Sequence, residues 1–141
     1  MTLYLDTSVL VAALTHEPDT AKMQAWLAAQ PAGDCAISDW VVTEFSSALA
    51  IKLRTGRLDL PERAAALAAF TRLTAESFRT LQVAATHFRA AARFADQHAL
   101  GLRAGDSLHL AVCAEHGATL CTSDRRLATA GAKLGISTRM P

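Results

Sequence analysis

Four acidic residues, spread over the whole chain, have positions that suggest chemistry. Asp6 directly follows the apolar run 3–5, and Asp124 follows the run 119–121 after two hydroxyl residues. Both acids therefore come where a predicted strand gives way to a predicted helix. In open α/β sheets, ligands bind outside the carboxyl ends of the strands. Taken alone, either acid is equally well explained as a turn residue or as an acid in a first helical turn.

The other two acids lie on predicted helices and face inward. Glu44 comes three residues after Val41 and four before Ala48, so it lies along an apolar helical stripe. Asp106 has Leu110 and Cys113 on its own helical face. An unpaired carboxylate on such a stripe costs several kcal/mol, so a partner is expected. The plainer alternatives are a salt bridge to an arginine or a snorkelling edge position for Glu44, and a helix N-cap for Asp106.

If these four carboxylates converge, they need a positive partner. Each pair of like charges at about 4 Å repels by roughly 1–4 kcal/mol, depending on the local dielectric. A hard divalent cation such as Mg²⁺ or Mn²⁺ relieves this repulsion, because such ions prefer oxygen ligands. Ions of this kind activate water and stabilise the oxygens of a phosphoryl displacement. The pattern therefore indicates metal-dependent phosphodiester chemistry.

The elements that must position these acids alternate between strands and helices, which predicts crossover connections and a parallel sheet. The short apolar runs predict strands at 3–5, 35–37, 81–83, 119–121 and, more weakly, 136–138. The helical patterns cover 8–14, 20–29, 39–54, 62–76, 84–98, 106–116 and 125–134. Ser38 and Ser123 are predicted N-caps of the helices that follow them.

Length and composition predict a single domain that spans residues 1–141 and contains one core. Hydrophobic residues make up 51% of the chain, and the formal net charge is only +1. No apolar run approaches the roughly 20 residues that a membrane span needs, and no signal-peptide pattern opens the chain. We therefore expect a cytoplasmic protein with no membrane partner. The three cysteines form no CxxC pair, so reduced and mostly buried thiols are expected.

At the four acids the sequence resembles a known family. It is similar to PIN-domain proteins, and specifically to VapC-type toxin ribonucleases of type II toxin–antitoxin pairs. The resemblance covers nearly the whole chain, with the motifs in order and at family-like spacing. The matching motifs are Tyr4-Leu5-Asp6-Thr7-Ser8, Val42-Thr43-Glu44-Phe45, Ala104-Gly105-Asp106-Ser107-Leu108-His109-Leu110-Ala111 and Thr122-Ser123-Asp124. Each motif alone is weak, but four in register are specific.

The resemblance implies a fold, a site and partners. The implied fold is a three-layer α/β/α sandwich around a central parallel sheet of four to five short strands. The implied activity is Mg²⁺- or Mn²⁺-dependent endoribonuclease cleavage of structured or single-stranded RNA. Asp6 and Asp106 would ligate the metal, and Glu44 and Asp124 would complete the site directly or through water. The implied partners are a second copy, a VapB-type antitoxin whose C-terminal segment covers the site, and DNA reached through that antitoxin.

Several other residues could support the site. Thr122 matches the family's hydroxyl residue two positions before the last acid, and Ser8 could orient Asp6 or a bound water. Arg103, Arg125 and Arg126 flank acidic positions and are candidates for holding RNA phosphates or antitoxin carboxylates. In general, exposed arginines of this kind are more often solvated surface charges than ligands.

Three competing interpretations remain open at this stage. His109 is expected either to pack beside the site or to contact a carboxylate. With Cys113 and His116 it could also form a zinc site. The spacing of these three residues, however, matches no standard zinc pattern. A phosphatase of the dehalogenase type would need a second aspartate two residues after Asp6, where the chain has Ser8. Finally, the chain could be a catalytically weak binding module for RNA or a protein partner, because fold does not fix function.

Overall fold

The computed structural model describes residues 1–141, in which five short strands alternate with seven α-helices. The strands are β1 (Leu3–Leu5), β2 (Cys35–Ser38), β3 (Arg79–Leu81), β4 (Thr119–Cys121) and β5 (Thr138–Arg139). The helices are α1 (Thr7–Leu14), α2 (Thr20–Ala28), α3 (Asp39–Arg54), α4 (Leu60–Glu76), α5 (Ala85–Asp96), α6 (Ala104–His116) and α7 (Arg125–Lys133). A short 3₁₀ turn, His98–Leu100, connects α5 to α6. No helix is both long enough and apolar enough to cross a lipid bilayer.

All strands belong to one parallel sheet with the order β3-β2-β1-β4-β5. The central strand β1 is buried along its whole length, as expected for a parallel strand covered on both faces. From β1 the chain builds outward to β2 and β3, then returns to place β4 and β5 on the other side of β1. The strand order therefore reverses between β1 and β4, which is the position where ligand crevices form in such sheets.

The helices complete a three-layer α/β/α sandwich, which confirms the predicted fold class. Helix α1 packs against α2, α3 and α4, while α5 packs along α6. The main core includes all three residues of the central strand. The rings of Phe45 and Phe70 stack with their centroids 4.3 Å apart and join α3 to α4. Such a pair contributes about 0.5–1.5 kcal/mol beyond the area that it buries.

Two strand boundaries differ from the prediction. The strand β3 covers 79–81 rather than 81–83, because it is an edge strand that pairs with β2 while leaving Arg79 exposed. The guanidinium of Arg79 donates to the Gly33 carbonyl at 2.9 Å and to the Thr2 hydroxyl at 2.6 Å. The strand β5 is also later than predicted, because Ile136 packs into the core before the strand begins.

The predicted helix starts also needed correction near the site. The side chain of Ser38 does not cap α3; it is fully buried and bonds the Tyr4 hydroxyl at 2.7 Å. The N-cap of α7 is Asp124 rather than Ser123. Helix α6 begins at Ala104, two residues earlier than predicted, so Asp106 lies inside its first turn instead of opening it.

Candidate functional site

Asp6 is a buried carboxylate at the junction of β1 and α1. It is 4% exposed and caps α1. Its Oδ1 accepts from the Ser8 amide at 3.0 Å and the Ser8 hydroxyl at 2.5 Å, and its Oδ2 accepts from the Thr122 hydroxyl at 2.6 Å. No lysine or arginine forms a salt bridge with it. Burial raises the pKa of Asp6 above its ordinary value, although the bonds from Ser8 and Thr122 oppose that shift.

Thr122 connects Asp6 to Asp124. This fully buried threonine follows β4; its hydroxyl donates to Asp6 and accepts from the Asp124 amide at 3.0 Å. The Oδ1 of Asp124 caps α7 by accepting from the amides of Arg126 and Leu127 at 2.9 and 3.2 Å. Its Oδ2 has no hydrogen-bond partner in the chain. Asp124 therefore is a helix cap that also keeps one oxygen available.

Glu44 lies on α3 and is held by one of its two carboxylate oxygens. Its Oε1 accepts from the Thr7 hydroxyl at 2.7 Å and bonds Nε2 of His109. The partner is therefore a histidine, and not the arginine that the sequence left open. Burial would raise the pKa of Glu44, but its interaction with His109 and the hydrogen bond from Thr7 bring it below its ordinary value. The Oε2 atom forms no hydrogen bond within the chain.

Asp106 lies in the first turn of α6. Its Oδ2 accepts from the Arg103 amide at 3.3 Å, so it takes part in capping its own helix, while Oδ1 has no partner. The residue before it, Gly105, lies against Glu44: a Cβ added at Gly105 would be 2.9 Å from Oε2. Glu44 on α3 thus meets the start of α6 beside Asp106.

The four acids lie at the same edge of the sheet. Asp6, Glu44 and Asp124 follow or flank the carboxyl ends of β1, β2 and β4, and Thr7 joins the first two by its bond to Glu44. In this conformation, however, no three His, Cys, Asp or Glu side chains come close enough to one point to hold a metal ion. The structure links Asp6 to Asp124 through Thr122 and places Glu44 beside the start of α6, where Asp106 lies, but it does not gather the four acids around one point.

The donor set nevertheless fits a hard divalent cation. Every candidate ligand is a carboxylate or hydroxyl oxygen, which is the donor that Mg²⁺ and Mn²⁺ prefer. Glu44, Asp106 and Asp124 each keep one carboxylate oxygen without a hydrogen-bond partner. None of the four acids forms a salt bridge with a lysine or arginine. These oxygens are therefore available to a cation of that kind.

The predicted arginines lie on the surface, close in the chain to two of the acids. Arg103 is exposed and precedes α6, and Arg125 and Arg126 are exposed in the first turn of α7. With Lys133, the last two line a groove of about 490 Å³ that contains no acidic side chain. The groove begins next to Asp124 and has the positive charge that a phosphate backbone requires.

Sequence reasoning left the role of His109 open and missed Tyr4, Thr7 and Gly105. His109 bonds Glu44 through Nε2 and the Tyr4 hydroxyl through Nδ1 at 2.8 Å. His116 instead faces the Gln82 carbonyl at 3.1 Å, so these two histidines do not share a ligand. The tyrosine within an otherwise apolar strand was a usable signal, because a buried phenol hydroxyl requires a partner.

These features define an α/β protein with acidic residues near the switch point of a parallel sheet. The chain belongs to the PIN-domain family, whose model matches residues 3–133. A search of curated proteins gave no match.

Solved structures share this fold over nearly the full chain. The sarcin-ricin loop cleaving toxin VapC20 of Mycobacterium tuberculosis is 21% identical, with a TM-score of 0.74, and the match covers 92% of this chain and 95% of that one. PAE2754 of Pyrobaculum aerophilum is 25% identical, with a TM-score of 0.69 and coverages of 92% and 86%. FitAcB of Neisseria gonorrhoeae is 20% identical, with a TM-score of 0.68 and coverages of 97% and 96%.

Proposed function

We propose that this chain is a Mg²⁺- or Mn²⁺-dependent endoribonuclease that acts as the toxin of a type II toxin–antitoxin pair. Membership of the PIN-domain family supports a hydrolase acting on nucleic acid. The observation that carries the proposal further is the set of four carboxylates at the switch point of the sheet, none of which pairs with lysine or arginine. RNA as the substrate is favoured by the resemblance to ribonuclease toxins.

In this proposal Asp6 and Asp106 hold the ion, and Glu44 and Asp124 complete its shell directly or through water. A divalent ion bound there supplies an activated water and stabilises the oxygens of a phosphodiester displacement. Ser8 and Thr122 fix the orientation of Asp6 through their hydrogen bonds to its two oxygens. Because both hydroxyls are donated to this one carboxylate, its direction is set before any ligand arrives.

The basic groove would hold the RNA next to the acids. Arg125 and Arg126 are the first two residues of α7 and directly follow Asp124. Phosphates bound by these arginines would therefore lie next to the proposed site. Arginine suits this role because its planar guanidinium donates two parallel bonds to a phosphate. Arg103, which precedes α6 near Asp106, is proposed to contact the same strand or the antitoxin.

We further propose a VapB-type antitoxin as the protein partner, and a homodimer as the active form. Among structures of the same fold are VapBC2 of Rickettsia felis, bound to a fragment of its promoter DNA, and FitAB bound to a DNA fragment. These support an assembly in which DNA is reached through the antitoxin. Exposed apolar side chains at Ile51 on α3 and Leu60 on α4 offer one surface for a protein partner.

Cleavage of a labelled RNA by the purified chain tests the proposed activity. We expect cleavage with Mg²⁺ or Mn²⁺, none with excess chelator, and none with Asp6→Asn. Cleavage that persists in chelator would overturn the metal-dependent mechanism. Metal-independent RNA binding without cleavage would favour the alternative, a catalytically weak binding module. The toxin role is tested separately by expression in a bacterial host: growth should stop and should resume when the cognate antitoxin is co-expressed.

A further inference from the structure

We propose that His109 and Tyr4 are positioning residues. They fix the carboxylate of Glu44 by its Oε1 atom, so that Oε2 stays free to bind the proposed cation. The inference rests on the proposed function, because it assigns these two side chains to the same site. Neither residue contacts the expected metal or RNA; both would act through Glu44.

The geometry is a continuous row of hydrogen bonds across four elements. The Ser38 hydroxyl at the end of β2 bonds the Tyr4 hydroxyl on β1 at 2.7 Å, and Tyr4 bonds Nδ1 of His109 on α6 at 2.8 Å. Nε2 of His109 then bonds Oε1 of Glu44 on α3. Ser38 and Tyr4 are fully buried, and the His109 side chain is 3% exposed, whereas the Glu44 side chain is 29% exposed. The row of hydrogen bonds therefore extends from the core to the partly exposed carboxylate of Glu44.

The carboxylate of Glu44, at the end of the row, determines which atom donates in each hydrogen bond. A carboxylate only accepts hydrogen bonds, so Nε2 of His109 must donate to Oε1 of Glu44. In the neutral imidazole, Nδ1 then has no proton and accepts from the Tyr4 hydroxyl, whose oxygen in turn accepts from Ser38. Each donor has one acceptor, so the surrounding protein selects the Nε2–H tautomer of His109.

A packing role alone does not account for this arrangement. Buried space beside an apolar strand is filled at less cost by leucine than by a polar chain of Tyr4 and His109, since buried polar groups are costly unless every bond is satisfied. Here the bonds are all satisfied, and they end on a carboxylate that is also bound by Thr7 at 2.7 Å. Two donors on Oε1 stop the Glu44 side chain from rotating, which leaves Oε2 in one place.

Two amide substitutions of His109 separate its two contacts. The amide nitrogen of glutamine takes the place of Nε2 and keeps the donor to Glu44, whereas asparagine takes the place of Nδ1 and does not reach Glu44. We expect the kcat of RNA cleavage to fall about 10–100-fold in His109→Asn and by a smaller factor in His109→Gln, with the KM for RNA unchanged in both. The control is His116→Asn, on the same helix but outside the row, which should leave kcat unchanged. Equal activity of the Gln and Asn variants, both folded, would overturn the proposal.

A second readout needs neither RNA nor metal. The ¹⁵N chemical shifts of His109 in the metal-free chain should report a protonated Nε2 and an unprotonated Nδ1. Tyr4→Phe should keep this tautomer but shift the Nδ1 resonance, because Nδ1 loses its hydrogen-bond donor. An Nδ1–H tautomer in the wild-type chain, or an unchanged spectrum in Tyr4→Phe, would contradict the proposal even if His109→Asn failed to fold. Absence of RNA cleavage by the wild-type chain with an Nε2–H His109 would count against the proposed function alone.

Discussion

The carboxylate of Glu44 occupies space that any side chain at position 105 would need. A Cβ on Gly105 would lie 2.9 Å from Oε2 of Glu44 and 3.4 Å from two ring atoms of Trp40. The backbone at Gly105 does not require glycine, because its φ is not positive. Since Thr7 and His109 both hold Oε1, Glu44 cannot swing away without losing a bond. The glycine is therefore explained by the site next to it.

Gly105→Ala should lower activity without lowering stability. The added methyl group would displace Oε2 of Glu44, while alanine in a helix is favoured over glycine by up to about 1 kcal/mol. We expect RNA cleavage to fall by about tenfold or more, as for other changes that displace a ligand. The melting temperature should change little, because the hydrogen bond that Glu44 loses and the helix preference of alanine oppose each other. Ala104→Ser, one residue earlier and exposed, is the control that should retain activity. Full activity of Gly105→Ala would mean that Glu44 need not be held where the structure places it.

Asp6→Asn should abolish cleavage and remove the pH dependence of stability that Asp6 causes. The folded-state pKa of Asp6 is raised above the ordinary value of 3.8, so the folded protein binds that proton more tightly than the unfolded chain. Raising the pH above 3.8 therefore lowers the free energy of unfolding, and the loss is complete only above the folded-state pKa. Asparagine removes this pH-dependent penalty and still caps a helix, but its amide nitrogen cannot accept the bond from Thr122, a loss that does not depend on pH.

Urea unfolding of both proteins from pH 4 to pH 8 measures this effect. The stability of Asp6→Asn relative to the wild type should increase as the pH rises. A relative stability that falls as the pH rises would contradict the assigned direction of the pKa shift.

The sequence predicted the sheet and most helices because their apolar patterns are set by burial. The strands 3–5 and 119–121 and the helix 39–54 have the predicted limits. The strand β3 was misplaced because an edge strand needs little apolar surface, and its position depends on contacts of Arg79 with residues far along the chain. Such pairing leaves no periodic signal in the local sequence.

At the site, the sequence indicated the acids but not the groups that hold them. The four acids could be inferred because charged residues at strand ends or on apolar stripes are unusual. The partner of Glu44 could not be inferred from the sequence. His109 lies 65 positions away on another helix, and only the packing of α3 beside α6 brings the two side chains together. Ser38 does occupy the N-cap position of α3, but its side-chain partner could not be predicted for the same reason: Tyr4 is on a neighbouring strand.

Two substitutions of Asp124 separate its capping role from its proposed role at the site. Asp124→Asn keeps a side-chain acceptor for the Arg126 and Leu127 amides, whereas Asp124→Ala removes it. We expect only the alanine variant to lose stability, by roughly 0.5–2 kcal/mol. Both should lose cleavage activity, since both lack the carboxylate charge. Wild-type cleavage by Asp124→Asn would show that this acid is only a cap.

The basic groove should make RNA binding dependent on salt. Each phosphate that the protein neutralises makes the plot of log K against log salt concentration steeper by roughly 0.7 for a single strand, so removing a contact makes the plot shallower. We therefore expect the double variant Arg125→Ala/Arg126→Ala to bind RNA more weakly and with a shallower salt slope, measured by fluorescence anisotropy. The control is Arg72→Ala, an exposed arginine on α4, which should not change the slope. A slope that is unchanged in the double variant would exclude this groove from the RNA path.

Calorimetric titration of Mn²⁺ into the metal-free chain tests most directly whether the acids form one cation site. The wild type should bind Mn²⁺, and Asp6→Asn and Asp106→Asn should each weaken that binding by more than about tenfold. Glu115→Gln, which removes an exposed acid from the same helix as Asp106, should bind like the wild type. Unchanged Mn²⁺ affinity in both Asp6→Asn and Asp106→Asn would contradict the account.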